Sequence, residues 1–227
     1  MVAGGPVEPP VCPRRADALV ERMVRRLMED GVLKRQLLSR YLWPGMGLAY
    51  GPDDPLTADF ARASHRYEVM KYEHFELAGP YQEGQAFVFE HALSHSYYHY
   101  ADTGEEQGIC IHRPHELIFQ GDSLLHKEER LASLQALEPG GVLAIPYPAL
   151  RKLMDAYPQL RAAVEKLGQQ HERTLNELGR FLGMPAELRF RQFRAAHRSL
   201  LHRLPQRVQA MHIKISKRQF NRLLKKG

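Results

Sequence analysis

The stretch Pro205–Lys226, PQRVQAMHIKISKRQFNRLLKK, decides the architecture of the C-terminal part of this 227-residue chain. Pro205 suits the first turn of a helix, where its missing N–H costs nothing, and Ser216 is a good N-cap for a second helix over Ser216–Lys225. Apolar side chains recur in the second helix at inward-facing positions, namely Phe220, Leu223 and Leu224. The pattern predicts two short helices around a turn, which is a helix-turn-helix.

The polar positions of the second helix are chemically suited to DNA. Arginine pairs bidentately with guanine, glutamine and asparagine pair with adenine, and lysines and helix N-termini bind phosphates. In this motif the second helix lies in the major groove. The predicted DNA-binding residues are Ser216, Lys217, Arg218, Gln219, Asn221, Arg222, Lys214, Lys225 and Lys226.

The charge distribution supports a polyanionic partner. The chain has 32 Lys and Arg against 26 Asp and Glu, a net charge of +6. Residues 188–227 contain eight Arg and four Lys but no Asp or Glu, so the positive field is concentrated at one end.

Residues 75–147 differ in composition from the C-terminal segment and have the pattern of β-strands. Short runs rich in Phe, Tyr, Val and Ile are separated by turn signals at 82–85, 102–106, 120–122 and 138–141. This spacing predicts β-hairpins closed into an antiparallel sandwich or jelly roll. Glu105–Glu106 and Glu128–Glu129 lie beside these turns, which favours solvated charge over a catalytic carboxylate pair.

A long helix is predicted over Gln159–Leu182, where apolar residues recur at three- and four-residue steps. Such a helix is about 36 Å long, more than a small β-domain can cover. Part of its leucine stripe is therefore predicted to pack on a second copy of the chain. A further helix is expected over Ala186–Leu201.

The N-terminal part is predicted to be mainly helical. Met1–Arg15 is rich in Pro and Gly and is expected to be disordered, whereas Ala16–Tyr41 and Thr57–Met70 have helical periodicity and Trp43–Pro55 indicates a loop. The predicted domains are a partly disordered helical extension (1–70), a jelly-roll sensor domain (71–158), a dimerisation helix (159–183) and a helix-turn-helix domain (184–227).

The composition argues against several classes of protein. Two cysteines are too few for a disulfide framework or an all-cysteine iron–sulfur site. There is no secretory segment and no window of ~18 apolar residues, so a cytoplasmic location is expected. There is no Walker or Rossmann loop and no nucleophile motif, so the sequence does not predict an enzyme.

Five histidines offer a competing interpretation, a metal site on the β-domain formed by His91, His95, His99, His112 and His115. Strand alternation could place His95 and His99 on one face. The His-x-His pair followed by a carboxylate that is typical of cupins is absent, which favours ordinary surface or half-buried histidines and no metal site.

From Phe75 to Lys226 the chain resembles the Crp/Fnr family of bacterial transcription regulators, especially its divergent bacteroidete-type members. Besides the tail and the long helix, the resemblance rests on Leu134-Gln-Ala-Leu-Glu, the strand Val142–Ile145, and Tyr147 followed by Leu150 and Tyr157-Pro. It implies an α+β fold with a cyclic-nucleotide-binding-like jelly roll and a winged helix-turn-helix. It also implies a homodimer that binds a palindromic DNA operator and contacts RNA polymerase.

The chain departs from the family pattern at two places. Lys214 stands where the turn of the helix-turn-helix usually has Gly, and Gln209 replaces an apolar residue. In the cyclic-nucleotide cassette, Gly121-Asp122-Ser123 and Arg130 are the best counterparts, with Ser133 as a further hydroxyl, but Leu131 replaces a donor. The sequence therefore predicts no resident cofactor, and either a barrel without an effector or one that binds a small molecule other than a cyclic nucleotide.

Two alternatives stay open at this point. One is a cupin-like, metal-dependent enzyme with a helical appendage. The other is a Crp/Fnr-like dimeric sensor that has lost DNA binding.

Overall fold

A computed structural model describes residues 29–226 of the chain and shows an α+β fold. A β-domain of two four-stranded antiparallel sheets is flanked by N-terminal helices and followed by a helical C-terminal part. The expected α+β class, with an antiparallel β-domain of two sheets, is confirmed.

Eight strands form the β-domain, and the last six of them lie within residues 75–147, where hairpins were predicted. They are β1 (His65–Val69), β2 (His74–Glu76), β3 (Gln85–Phe89), β4 (Ser94–Tyr100), β5 (Glu105–His112), β6 (Leu117–Ile118), β7 (Ser133–Ala136) and β8 (Gly140–Pro146). The first sheet has the order β1-β8-β3-β6 and the second β2-β7-β4-β5. Phe87 and Phe89 of one sheet and Leu134 of the other are buried in a shared core, which holds the two sheets together.

The N-terminal helices belong to the same core as the first sheet. Helix α1 runs through residues 29–37, a π-helical turn at Leu38–Leu42 and a last turn at Trp43–Gly45, and α2 spans Pro55–Ala63. The fully buried Trp43 donates from Nε1 to Thr57 Oγ1 at 2.9 Å and meets Phe60 edge-on. This segment therefore closes one face of the β-domain.

Two N-terminal predictions are wrong in part. The expected loop at Trp43–Pro55 starts as helix, because the apolar Trp43 side chain is drawn into the core. The expected helix over Thr57–Met70 ends at Ala63, and residues 65–69 form β1, which pairs with β8. The sheet thus starts before the expected boundary at 71. The predictions for Met1–Arg15 and for the start of Ala16–Tyr41 lie outside the described residues.

The C-terminal part contains five helices after a short one, α3 (Gly121–His126), within the β-domain. They are α4 (Tyr147–Ala156), α5 (Pro158–Leu182), α6 (Ala186–Ala196), α7 (Gln206–His212) and α8 (Lys217–Leu224). The long helix is confirmed. The helix expected to reach Leu201 ends at Ala196, because the chain turns to bury Leu200 and Leu204.

Within residues 29–226 no strand follows β8, so the wing expected beside the helix-turn-helix is not among them. None of the helices described is both long and apolar enough to cross a membrane.

The two halves of α5 have different surroundings. Leu160 and Val164 are fully buried against the core that also holds Trp43 and Leu150. From residue 172 onward most side chains are exposed, and Leu175 is 36% exposed. The first half of the leucine stripe is therefore used inside the chain, and the second half is largely free.

Candidate nucleic-acid interface and cavity

Helices α7 and α8 form the predicted helix-turn-helix. Ser216 caps α8, because its hydroxyl accepts a hydrogen bond from the Gln219 N–H at 3.2 Å. Phe220 is completely buried and packs edge-on against Phe190 of α6, which fixes α8 on the rest of the domain. The capped start and the buried side of this helix were both predicted from the sequence.

The turn between the two helices has an unusual backbone. Lys214 adopts a left-handed conformation with φ of +48°, which costs a residue with a side chain about 1–2 kcal/mol. Arg189 of α6 supports this turn by donating to the Lys214 carbonyl at 3.3 Å, and its other terminal nitrogen donates to the carbonyl of Leu182 at the end of α5. The turn is thus strained and tied to the long helix by one guanidinium group.

Gln209 keeps its place in the core through hydrogen bonds. It is buried in α7, and its Nε2 donates to the Leu204 carbonyl at 2.8 Å and to the Leu201 carbonyl at 3.4 Å. These bonds close the loop before α7, a task that the usual apolar residue could not perform.

The predicted DNA-binding side chains lie together on α8 and on the two turns that flank it. All are exposed except Gln219, which is half-buried. The exposed cations of this surface are Lys214, Lys217, Arg218, Arg222, Lys225 and Lys226, and the one ion pair found there is exposed, between Lys226 and Glu187 at 3.4 Å. We call this surface, with Ser216, Gln219 and Asn221, the α8 surface. It is cationic and accessible to a large polyanion.

Helix α7 docks directly on the β-domain, a contact that sequence reasoning missed. Gly108 of β5 allows it, since a Cβ there would lie 2.4 Å from the His212 ring. His212 Nε2 lies 3.3 Å from His95 Nδ1, and Gln107 donates to the Met211 carbonyl at 3.3 Å. A glycine inside a strand often marks such a close approach, so Gly108 was the available signal.

The histidines at this contact are neutral at physiological pH. Burial lowers the pKa of His95 to about 4 and that of His112 to about 3, and it holds the pKa of His212 well below its usual value. Neutral imidazoles can share a proton between His95 and His212 without placing charge in the interface.

The five histidines of the metal hypothesis do not gather in the described part of the chain. His95 and His112 are buried in the second sheet, whereas His99 is exposed. His115 stacks on Tyr41 with 3.9 Å between ring centroids, and His91 meets it edge-on. Among residues 29–226 the one group with ligand-like spacing is different and exposed: Asp122, His126 and Glu172.

A cavity of about 560 Å³ lies between the second sheet, α3 and α5. Three of the residues expected to contact an effector line it, namely Gly121, Asp122 and Ser123. The other two, Arg130 and Ser133, are not among its lining residues. The structure therefore separates the predicted effector site into a part on the cavity and a part behind it.

Arg130 is occupied by partners of its own chain. It is 5% exposed, and its Nη1 lies 3.0 Å from Glu76 Oε1 while its Nε donates to the Pro80 carbonyl at 3.0 Å. Glu76 is also buried and accepts a hydrogen bond from the Gln85 N–H at 3.0 Å. The guanidinium fork thus neutralises an internal carboxylate.

No protein-family model matches the chain, and no curated protein sequence does either. Several solved structures resemble it at low sequence identity. FixK2 from Bradyrhizobium japonicum is 16% identical over 72% of this chain and 83% of its own, with a TM-score of 0.62. CLP, a c-di-GMP-responsive global regulator from Xanthomonas campestris, is 16% identical over 75% and 89%, with a TM-score of 0.59.

A transcriptional regulator of the Crp/Fnr family from Eubacterium rectale, described as putative, is 11% identical over 77% of this chain and 82% of its own. Its TM-score is 0.63. Each of these three matches covers more than 70% of this chain and more than 80% of the other. The chain therefore has the fold of the Crp/Fnr transcription regulators.

Proposed function

We propose that this protein is a dimeric, sequence-specific DNA-binding regulator of transcription. The α8 surface carries the proposal: a capped helix, anchored by Phe220, presents exposed arginines, lysines and amides beside a turn. Arg218, Gln219 and Asn221 lie in the first turns of α8, where side chains of a recognition helix reach base edges. Lys225 and Lys226 lie at its far end, where they would contact phosphates.

Dimerisation is proposed through the second half of α5. The helix continues beyond the β-domain with Leu175 exposed and Leu178 half-buried, so residues 29–226 leave this part of the apolar stripe incompletely covered. A second copy packed on this stripe would cover it. Two recognition helices would then read half-sites about 34 Å apart, which predicts a palindromic operator.

The cavity supports an effector role for the β-domain. It is lined on one side by Gly168, His171 and Leu175 of α5, so a bound molecule would contact the helix that is proposed to form the dimer. Ligand binding would thereby influence how the two α8 helices are spaced. In this proposal the regulator acts in the cytoplasm on DNA and, at promoters, on RNA polymerase.

The proposal is tested by selecting genomic fragments that bind the purified full chain and measuring affinity for the best fragment between 50 and 200 mM salt. With six or more phosphate contacts, we expect affinity to fall by about a thousandfold or more over this range and two chains to bind per palindrome. Arg222→Ala should weaken binding, whereas Lys152→Ala, an exposed cation on α4, should not.

Two results would contradict the proposed DNA-binding function. Binding that is indifferent to both salt and Arg222 would exclude the α8 surface as the DNA contact. A dimer that selects no fragment would instead favour the sensor that has lost DNA binding.

A further inference from the structure

We propose that the cavity binds an apolar small molecule that carries no negative charge, and that it excludes phosphate-bearing effectors such as cyclic nucleotides. The inference deepens the proposed function and rests on it only for the regulatory consequence of binding. The selectivity itself follows from the residues that line the cavity.

The interior of the cavity is mainly apolar. Its walls include Ile109, Ile118, Phe119, Leu134 and the ring of Tyr98. A volume of about 560 Å³ lies within the range of pockets that enclose a drug-sized ligand. Since apolar surface gains most from contact with an apolar partner, the body of the ligand is expected to be hydrocarbon or aromatic.

The charged residues that line the cavity are all acidic. Four carboxylates belong to exposed residues at its edge: Asp122, Glu128, Glu129 and Glu172. Neither lysine nor arginine is among the lining residues, and the two lining histidines, His112 and His171, are kept neutral because burial lowers the pKa of both. An anion entering this cavity therefore meets like charge, and among residues 29–226 no cation lines the cavity to offset it.

The arginine that could have offset this charge is not available. Arg130 is buried and paired with Glu76 and the Pro80 carbonyl. Turning its guanidinium toward the cavity would leave the buried Glu76 carboxylate without its cation, which is strongly unfavourable. A phosphate in this cavity would therefore contact neither a free guanidinium group nor any other unpaired cation among the lining residues.

One polar group inside the site has no partner of its own. The Ser123 hydroxyl is fully buried, belongs to a residue that lines the cavity, and finds no hydrogen-bond partner among residues 29–226. His112 is already engaged, with its Nε2 3.2 Å from the Ser96 hydroxyl. The cavity thus combines apolar walls with uncharged polar residues such as Ser96, Tyr98 and Gln120, which suits an apolar ligand that bears an uncharged polar group or an amine.

Two dyes with nearly the same skeleton test the selectivity. Phenylnaphthylamine is uncharged, and anilinonaphthalenesulfonate adds one sulfonate to it. With the full chain, we expect phenylnaphthylamine to bind saturably at one site per chain and the sulfonate to bind at least about tenfold more weakly. Cyclic AMP and c-di-GMP should displace neither dye.

Variants locate the effect in the cavity. The triple variant Glu128→Gln, Glu129→Gln, Glu172→Gln should strengthen sulfonate binding by about fivefold or more and leave phenylnaphthylamine within about twofold, because only charge is removed. Ile109→Trp should fill the cavity and abolish binding of the neutral dye. Leu131→Asp, at an exposed lining position that tolerates polarity, should weaken the neutral dye if Ile109→Trp fails to fold.

The inference is overturned if both dyes bind equally, if a cyclic nucleotide displaces the neutral dye, or if the wild-type chain binds no neutral dye. These measurements contain no DNA. A chain that binds the neutral dye but no DNA would therefore contradict the proposed function and leave the ligand class standing.

Discussion

Arg130 and Arg218 were both predicted to bind a ligand, an effector at Arg130 and DNA at Arg218, and the structure gives them opposite surroundings. Arg130 is 5% exposed and its guanidinium nitrogens contact Glu76 and a backbone carbonyl. Arg218 is exposed on α8, and no ion pair or hydrogen bond of its side chain is found within residues 29–226. The same residue type is thus a structural cation in the β-domain and a free one in the helix-turn-helix.

The contrast between these two residues shows that an arginine indicates an anion-binding site only when its guanidinium group has no carboxylate partner within the protein. The sequence shows that Arg130 follows Gly121-Asp122-Ser123 closely in the chain. It does not show that Arg130 forms an ion pair with Glu76, which lies more than 50 residues earlier. Burial decides the outcome, because a carboxylate removed from water must find a cation or lose its charge. The following variants test this contrast from its largest expected effect to its smallest.

Arg130→Met should destabilise the protein by about 3 kcal/mol, because it leaves a buried carboxylate unpaired. Burial already raises the pKa of Glu76, so without Arg130 this group should take up a proton more readily. A group with a raised pKa in the folded state favours folding at low pH, so the stability deficit should shrink as pH falls toward the unfolded-state pKa of about 4.5. Urea unfolding at several pH values measures it.

The double variant Arg130→Met, Glu76→Gln is the matched control and should recover most of the lost stability. If Arg130→Met unfolds at the wild-type urea concentration, the ion pair contributes nothing and the guanidinium is free to serve a ligand.

Arg218→Ala should leave the free energy of unfolding within about 0.5 kcal/mol, since the side chain is exposed. It should weaken binding to the preferred operator by about 1–3 kcal/mol if the guanidinium pairs with a guanine. Lys226→Ala should weaken binding to DNA of any sequence by about the same factor, because a phosphate contact does not depend on the base. Competition binding with specific and random duplexes separates the two, and an unchanged sequence preference in Arg218→Ala would exclude its role in base reading.

Local patterns in the sequence predicted the elements but not the contacts between them. The Ser216 cap and the leucine stripe of α5 are encoded within a few residues, and both appear in the structure where expected. Of the four expected hairpin turns, the one at 102–106 joins paired strands, β4 and β5, whereas those at 82–85 and 138–141 connect strands of different sheets and 120–122 begins α3. The pairing of β1 with β8, the burial of Trp43 and the docking of His212 on Gly108 depend on segments that are distant in the chain. Hydrophobic periodicity carries no information about such long-range partners.

The histidine contact between α7 and the β-domain should make stability depend on pH. Because the pKa of His95 is lowered to about 4, its neutral form stabilises the fold fully above about pH 6.5, and this contribution is lost as pH falls from 6.5 toward 4. The groups around His95 are His212, Gln135, Glu106, His74 and Arg207. Acidification should therefore loosen the docking of α7.

His95→Gln removes this proton-binding site. Between pH 7 and pH 5.5 its free energy of unfolding should fall by about 1 kcal/mol less than that of the wild type. His99→Gln, in the exposed part of the same strand, should follow the wild type. Thermal unfolding across pH compares them, and identical pH profiles for all three proteins would show that His95 does not couple folding to protons.

Lys214→Gly should have the smallest effect, a gain in stability below about 1 kcal/mol. Glycine relieves the left-handed strain at φ of +48° but loses more entropy on folding, so the two contributions partly cancel. Lys217→Gly, at an ordinary helical position in α8, should instead cost about 0.5–1 kcal/mol. Chemical denaturation should therefore give opposite signs for the two, and equal losses would mean that the turn at Lys214 is not strained.

The guanidinium group of Arg189 connects the end of α5 with the turn that precedes α8. It joins the Leu182 carbonyl, which ends α5, to the Lys214 carbonyl inside the turn. A planar fork holds two acceptors at a set separation and orientation, which the single ammonium of a lysine does not. If α8 enters the groove of DNA as proposed, a rotation of the end of α5 would therefore be passed through Arg189 to the turn before α8.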